Sequence, residues 1–116
     1  MHIKLNPQDA GTALVSIEGR VDAAAAPSFK QQLTEAIAQG NVRLALHLAH
    51  VSFMDSTGLG ALVSALKAAR KSNGDITIVA PSGQVQKLLR LTAMDRVFKI
   101  FPSQDEALLQ LRAGAQ

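Results

Sequence analysis

The sequence predicts an α/β domain built on a small, mostly parallel sheet. Three observations carry that prediction. Segments of alternating apolar residues take turns with segments of helical period along the chain. The run from Val42 to Met54 is apolar almost throughout, as expected of a central strand covered on both faces. Glycine, proline and capping residues fall at the joints between the two periods. At 116 residues, one domain is expected over the whole chain. Parallel neighbours then require right-handed crossovers.

Taken in order, Ile3-Lys4-Leu5 is a short alternating strand ahead of Pro7, and Asp9-Ala10-Gly11-Thr12 reads as a turn. In the next strand Ala13, Val15 and Ile17 share one face, with Leu14 and Ser16 on the other, so the first two strands form an antiparallel hairpin. Pro27 suits the first turn of a helix, where a missing N–H costs nothing. Phe29, Leu33, Ala36 and Ile37 follow at helical spacing, and Gly40 stops the helix. Leu44, Leu46 and Leu48 then point to one side of the central strand, with Ala45 and Ala49 opposite.

From Thr57 the period turns helical, with Leu59, Leu62, Val63 and Leu66 forming a stripe. Lys67, Arg70 and Lys71 load its last turn, which suits the negative end of a helix dipole, and Asn73-Gly74 ends it. Asp75 to Ala80 is a further strand, and Pro81-Ser82-Gly83 opens a helix carrying Val85, Leu88 and Leu89. Val97 to Phe101 alternates as a late strand. Ser103 and Glu106 match a capping box before a helix with Leu108, Leu109 and Leu111, and Ala113 to Gln116 are expected to fray.

Composition excludes several function classes. The absence of cysteine removes disulfides and thiolate metal sites. His2, His47 and His50 have no metal-ligand spacing, so no metal and no cofactor is expected. Four Phe are the only aromatic residues, and all sit in apolar patterns, so base stacking has no platform. A net charge of +3 is a mild excess, and nucleic acid is not an expected partner. No apolar run reaches the roughly 18 residues that span a bilayer, and the opening residues lack an extended apolar core. The cytoplasm is the expected location.

Chemistry concentrates in Asp55-Ser56-Thr57-Gly58-Leu59-Gly60, where the central strand hands over to a helix. Sites in open α/β sheets favour such strand ends. Either Asp55 or Ser56 can cap the helix. Gly58 and Gly60 carry no side chain, so the helix start can approach the sheet or a partner closely. A hydroxyl here is well placed to carry a phosphate, because a helix N-terminus offers free N–H donors and partial positive charge. The plain alternative is a capped βα turn and nothing more.

The run Leu46 to Leu62, which contains D-S-T-G-L-G after an apolar strand, resembles the signature of the STAS domain, the fold of bacterial anti-sigma factor antagonists. Ile17-Glu18-Gly19-Arg20-Val21-Asp22 matches that family's second-strand motif, and Phe98 to Phe101 is also similar. The resemblance runs from about Leu14 to about Leu111. It implies a sheet of four or five strands with helices mainly on one face, and no enzymatic activity. It also implies partner switching. By that resemblance the unphosphorylated protein is expected to bind a serine kinase of the histidine-kinase-like ATPase fold, which is also an anti-sigma factor. In the family the kinase phosphorylates the serine after the Asp, which by motif is Ser56 here, and the phosphoprotein is then expected to let go. A PP2C-type phosphatase restores it. The free protein is expected to be a monomer.

The resemblance places Asp22 near the phosphoacceptor, with a part in kinase binding or phosphoryl transfer; read alone, it is equally a turn residue. Asp55 orients Ser56 or simply caps, and Thr57 is a second candidate hydroxyl. His47 departs from the Asp or Asn frequent at that position in the family, which bears on local hydrogen bonding and not on the fold. Ser64-Ala65-Leu66-Lys67 spells S-x-x-K, but it lies mid-helix without its partner motifs. A rival role within the family is a non-phosphorylated scaffold subunit of a lipid ABC transporter or signalling assembly. The basic residues Lys67, Arg70 and Lys71 are either a solvated helix end or a contact for an acidic partner.

Overall fold

A computed structural model describes residues 1–114. Five strands form one sheet in the order β1-β2-β3-β4-β5, with only β1 antiparallel to its neighbour. The chain runs β1 (His2–Asp9), β2 (Thr12–Val21), α1 (Ala26–Ala38), β3 (Arg43–Met54), α2 (Ser56–Lys71), β4 (Asp75–Val79), α3 (Gly83–Leu91), β5 (Ile100–Phe101) and α4 (Gln104–Ala113). The alternation read from the sequence is this order of elements. β1 is longer than its three alternating residues suggest, and it takes in Pro7, which an edge strand tolerates. Gly11, at φ 83°, makes the tight β1–β2 turn, and Gly40, at φ 102°, follows the end of α1.

The helices divide unequally between the faces. α1, α2 and α3 send Phe29, Leu33, Leu62, Leu66, Val85 and Leu89 into the main core, against Val15, Ile17, Leu46 and Ile78. α4 alone covers the other face, where Ala107, Leu108 and Leu111 meet Leu14, Ala45 and Val79. β3 is therefore sandwiched, as its continuous apolar run demands.

A period of two does not describe all of β3. Leu44, Leu46 and Leu48 point into the main core, and so do Val51 and Met54, three residues on each time. Two bulges reconcile these facts. Ser16 pairs with His47 but Glu18 with His50, and Gly19 pairs with Val51 but Arg20 with Phe53. Each step inserts one extra residue in β3 and returns the apolar side chain to the core. The bulges cluster at the strand end that leads into α2.

The late strand is shorter than Val97 to Phe101, because only Ile100–Phe101 pair with β4. A 3-10 turn at Met94–Arg96 precedes it, and Met94 O takes the N–H groups of both Val97 (3.0 Å) and Phe98 (2.9 Å). Those donors are no longer free for a ladder. Phe98 is still fully buried, which accounts for the apolar pattern. In α4, Ser103 Oγ accepts from the Glu106 N–H at 3.3 Å, half of the expected capping box. Of Ala113 to Gln116, where fraying is expected, Ala113 is instead the last residue of α4 and the Gly114 N–H still bonds the Gln110 carbonyl, while Ala115 and Gln116 lie outside the described residues. Among the described residues no helix is long and apolar enough to cross a membrane.

Candidate functional site

The end of β3, the start of α2 and the loop after β2 converge at one point. Asp55 is the N-cap of α2, in extended conformation, and its Oδ1 accepts from the Gly58 N–H at 2.9 Å. Its other oxygen, Oδ2, accepts from the Ala23 N–H at 3.1 Å, thirty-two residues away in sequence. Of the two capping candidates the structure thus selects Asp55, and it gives the same carboxylate a second bond that ties α2 to the β2–α1 loop.

Ser56 is the first residue of α2 and Thr57 the second, and both are exposed. Because Asp55 does the capping, the Ser56 hydroxyl is left at the surface. The N–H groups of a helix's first turn have no partner within the helix, and here the cap takes only that of Gly58. Those of Ser56 and Thr57 stand beside the hydroxyl as donors suited to an anion.

Gly58 and Gly60 are different in kind. A Cβ on Gly58 lies 2.2 Å from the Val21 carbonyl oxygen, so no other residue lets α2 sit this close to β2. A Cβ on Gly60 meets nothing within 4 Å. Gly60 is exposed and borders an open groove between α1 and α2, lined by Ala26, Pro27, Lys30, Thr57, Ala61 and Ser64.

Asp22 opens the β2–α1 loop. Its Oδ1 accepts from the Ala25 N–H at 3.2 Å, and its backbone carbonyl accepts from Ala25 (3.1 Å) and Ala26 (2.9 Å). The Arg20 Nε–H approaches Oδ2 at 3.4 Å. The Ala25 N–H holds the Asp22 carboxyl below its ordinary 3.8; partial desolvation opposes this, and Arg20 adds to it. The structure therefore brings Asp22, Asp55, Ser56, Thr57 and Gly58 to one end of the sheet. The bonds to Ala25 and Ala26 give Asp22 the turn role read from the sequence.

Sequence reading did not find two further groups. The Gln84 amide on α3 donates to Met54 O and accepts from Met54 N–H, both at 2.8 Å. Ser82 Oγ donates to Val51 O at 2.7 Å. β4 pairs with β3 only as far as His47, so these side chains satisfy the backbone of β3 beyond it. The only signal in the sequence was a Ser and a Gln in the helix opening at Pro81.

His47 is half-buried, and its ring lies 6.0 Å from that of His50 in a stacked arrangement. Among the described residues no group of three His, Asp or Glu side chains is placed to hold a metal ion. Arg70, one of the basic helix-end residues, bonds Asp75 (3.4 Å) and the Val97 carbonyl (3.3 Å). All three basic residues are exposed, and Arg70 is the one among them with side-chain bonds to its neighbours.

The model of the STAS domain matches residues 5–107. The chain belongs to the STAS domain family. An anti-sigma-B factor antagonist of Listeria monocytogenes is 29% identical over 98 residues, covering 84% of this chain and 86% of that protein. The crystal structure of an anti-sigma factor antagonist from Mycobacterium paratuberculosis superposes with a TM-score of 0.80 at 27% identity, covering 96% of this chain and 93% of that one. The Bacillus cell fate determinant SpoIIAA, in its phosphorylated form, shares the fold with a TM-score of 0.74 at 19% identity, covering 94% and 98%. In this STAS chain the sheet of five strands, with three helices on one face and one on the other, is the fold that the family resemblance implied.

Proposed function

We propose that this STAS protein is an anti-sigma factor antagonist that switches partners through phosphorylation of Ser56. The observation that carries the reading is the division of labour at the start of α2. Asp55 caps the helix and pins it to the β2–α1 loop, which leaves the Ser56 hydroxyl exposed on a rigid support. The relatives named as anti-sigma factor antagonists support the general role.

The unphosphorylated protein binds an anti-sigma factor that is a serine kinase of the histidine-kinase-like ATPase fold. It meets that partner with Ser56, Thr57 and the exposed Gly60 surface, and Asp22 borders the same face. Transfer of a phosphoryl group from ATP adds about 1.5 to 2 negative charges at Ser56. The first-turn N–H groups of α2 accommodate that charge within the fold. An interface formed around a neutral hydroxyl does not, because the charge is desolvated beside Asp22 and Asp55. The complex therefore separates without any refolding. A PP2C-type phosphatase removes the phosphate and resets the switch in the cytoplasm. On this reading the chain receives a phosphate and performs no catalysis itself.

The test is to incubate the protein with ATP and the serine kinases of its source organism, then map the phosphosite by mass spectrometry. Phosphate on Ser56, absent from Ser56→Ala, is the expected result. Phosphate on Thr57, or on no residue at all, sinks the assignment. A pull-down that returns transporter subunits in place of an ATPase-fold kinase identifies a scaffold role instead.

A further inference from the structure

We propose that Arg20 is a positioning residue for Asp22, itself held by the Phe53 ring, and that through Asp22 it sets how readily Ser56 is phosphorylated. The proposal rests on the partner-switching reading. It starts from the second β3 bulge, whose extra residue makes Phe53, and not Ser52, the partner of Arg20 across the strand pair. The guanidinium carbon lies 4.4 Å from the Phe53 ring centroid, well inside the range of a cation–π contact. A planar guanidinium on an aromatic face loses less freedom per hydrogen bond than an ammonium would. The ring thereby favours one position of Arg20 although its side chain is 61% exposed.

From that position its Nε–H reaches Asp22 Oδ2 at 3.4 Å, while the Ala25 N–H holds Oδ1 at 3.2 Å. With both oxygens engaged, one rotamer of the carboxylate is favoured over the others. The next residue, Ala23, donates to Asp55 Oδ2, and Asp55 caps the helix that begins with Ser56. The contacts thus run from Phe53 through Arg20, Asp22 and the loop to Asp55, two residues beyond Phe53 in the chain. An exposed ion pair adds little to stability. What it adds here is one orientation of the carboxylate that faces the incoming partner. In the transfer, the Ser56 Oγ–P bond forms as the bond from the γ-phosphorus of ATP to the bridging oxygen breaks. ADP leaves and the hydroxyl proton is released.

The experiment compares the full chain with Arg20→Gln, Arg20→Lys, Phe53→Leu, Asp22→Asn and the Arg20→Gln/Asp22→Asn double variant. The kinase is the one that phosphorylates the unaltered protein. Arg20→Gln is expected to lower kcat/KM roughly two- to fivefold, the scale of a half-exposed ion pair, with the loss in kcat and not in KM. Phe53→Leu follows in the same direction, and Arg20→Lys recovers part of the rate. On the Asp22→Asn background, Arg20→Gln has no further effect, because the interaction it removes is already gone. An equal loss on both backgrounds overturns the proposal, since Arg20 then acts on the kinase directly. So does an unchanged rate. In parallel, NMR follows the Asp22 carboxyl, whose titration midpoint is expected to rise in Arg20→Gln. No change there overturns the proposal whatever the kinase does. An unphosphorylated Ser56 in the unaltered protein, with the midpoint shift intact, refutes the partner-switching reading and not the Arg20–Asp22 contact.

Discussion

Two glycines two residues apart in α2 are predicted to respond to alanine with opposite signs. In Gly58→Ala the new methyl meets the Val21 carbonyl oxygen at 2.2 Å, and Met54 Cγ and Val21 Cγ1 at 3.1 Å. The oxygen belongs to the backbone of β2 and cannot swing aside. Even close carbon–oxygen contacts are about 3.3–3.6 Å, so the helix start must retreat by roughly 1 Å. That retreat strains the Asp55 caps to Gly58 (2.9 Å) and Ala23 (3.1 Å). Overpacking costs about 1–3 kcal/mol and a weakened cap about 1 more, against about 1 regained from alanine's helix propensity. The expected net loss is about 1–3 kcal/mol. In Gly60→Ala the methyl meets nothing within 4 Å, so propensity acts alone and the protein gains about 0.5–1 kcal/mol. Urea unfolding followed by far-UV circular dichroism measures both. If Gly58→Ala is as stable as the unaltered protein, or if Gly60→Ala loses as much as Gly58→Ala, the close-approach argument is wrong.

Gln84→Ala removes both bonds to Met54 and leaves that residue's backbone N–H and C=O without the Gln84 amide, which is expected to cost about 1–3 kcal/mol and to speed amide exchange at Met54 above all. Hydrogen-exchange NMR checks the second point, since general destabilisation raises exchange throughout the sheet. Asp55→Ala is expected to cost about 1–2 kcal/mol in the same unfolding assay, and Asp55→Asn less, because its amide oxygen still accepts one bond. The Asp22 carboxyl titrates below its ordinary 3.8 in the folded state, so its contribution is present above about pH 4 and is lost as pH falls through the folded-state value. Thermal unfolding between about pH 2.5 and 6 checks this: the drop in midpoint at the acid end is expected to be shallower in Asp22→Asn.

Much of the site was legible because its signals are short. A cap at Asp55 or Ser56, a helix from Ser56 or Thr57 and a glycine needed for close approach are read within four residues, the span of one helical turn. Which of two adjacent residues caps was not legible, because both can accept the same N–H. Asp55 takes that bond because its second oxygen also reaches Ala23. Nor could the two glycines be told apart, since what a Cβ would meet at Gly58 is the carbonyl of Val21, thirty-seven positions earlier.

By itself, then, the sequence determined the alternation of strands and helices, the sandwiched central strand and the capped turn that carries Ser56. These follow from periodicity and from hydrogen bonds between near neighbours. Only the tertiary structure decided the bulges that keep Val51 and Met54 in the core and set Phe53 against Arg20. It alone decided that Gln84 would close the end of β3, and that Asp55 would join two loops. Each of these depends on groups about thirty residues apart in the chain meeting across the fold, and no local pattern encodes such a meeting.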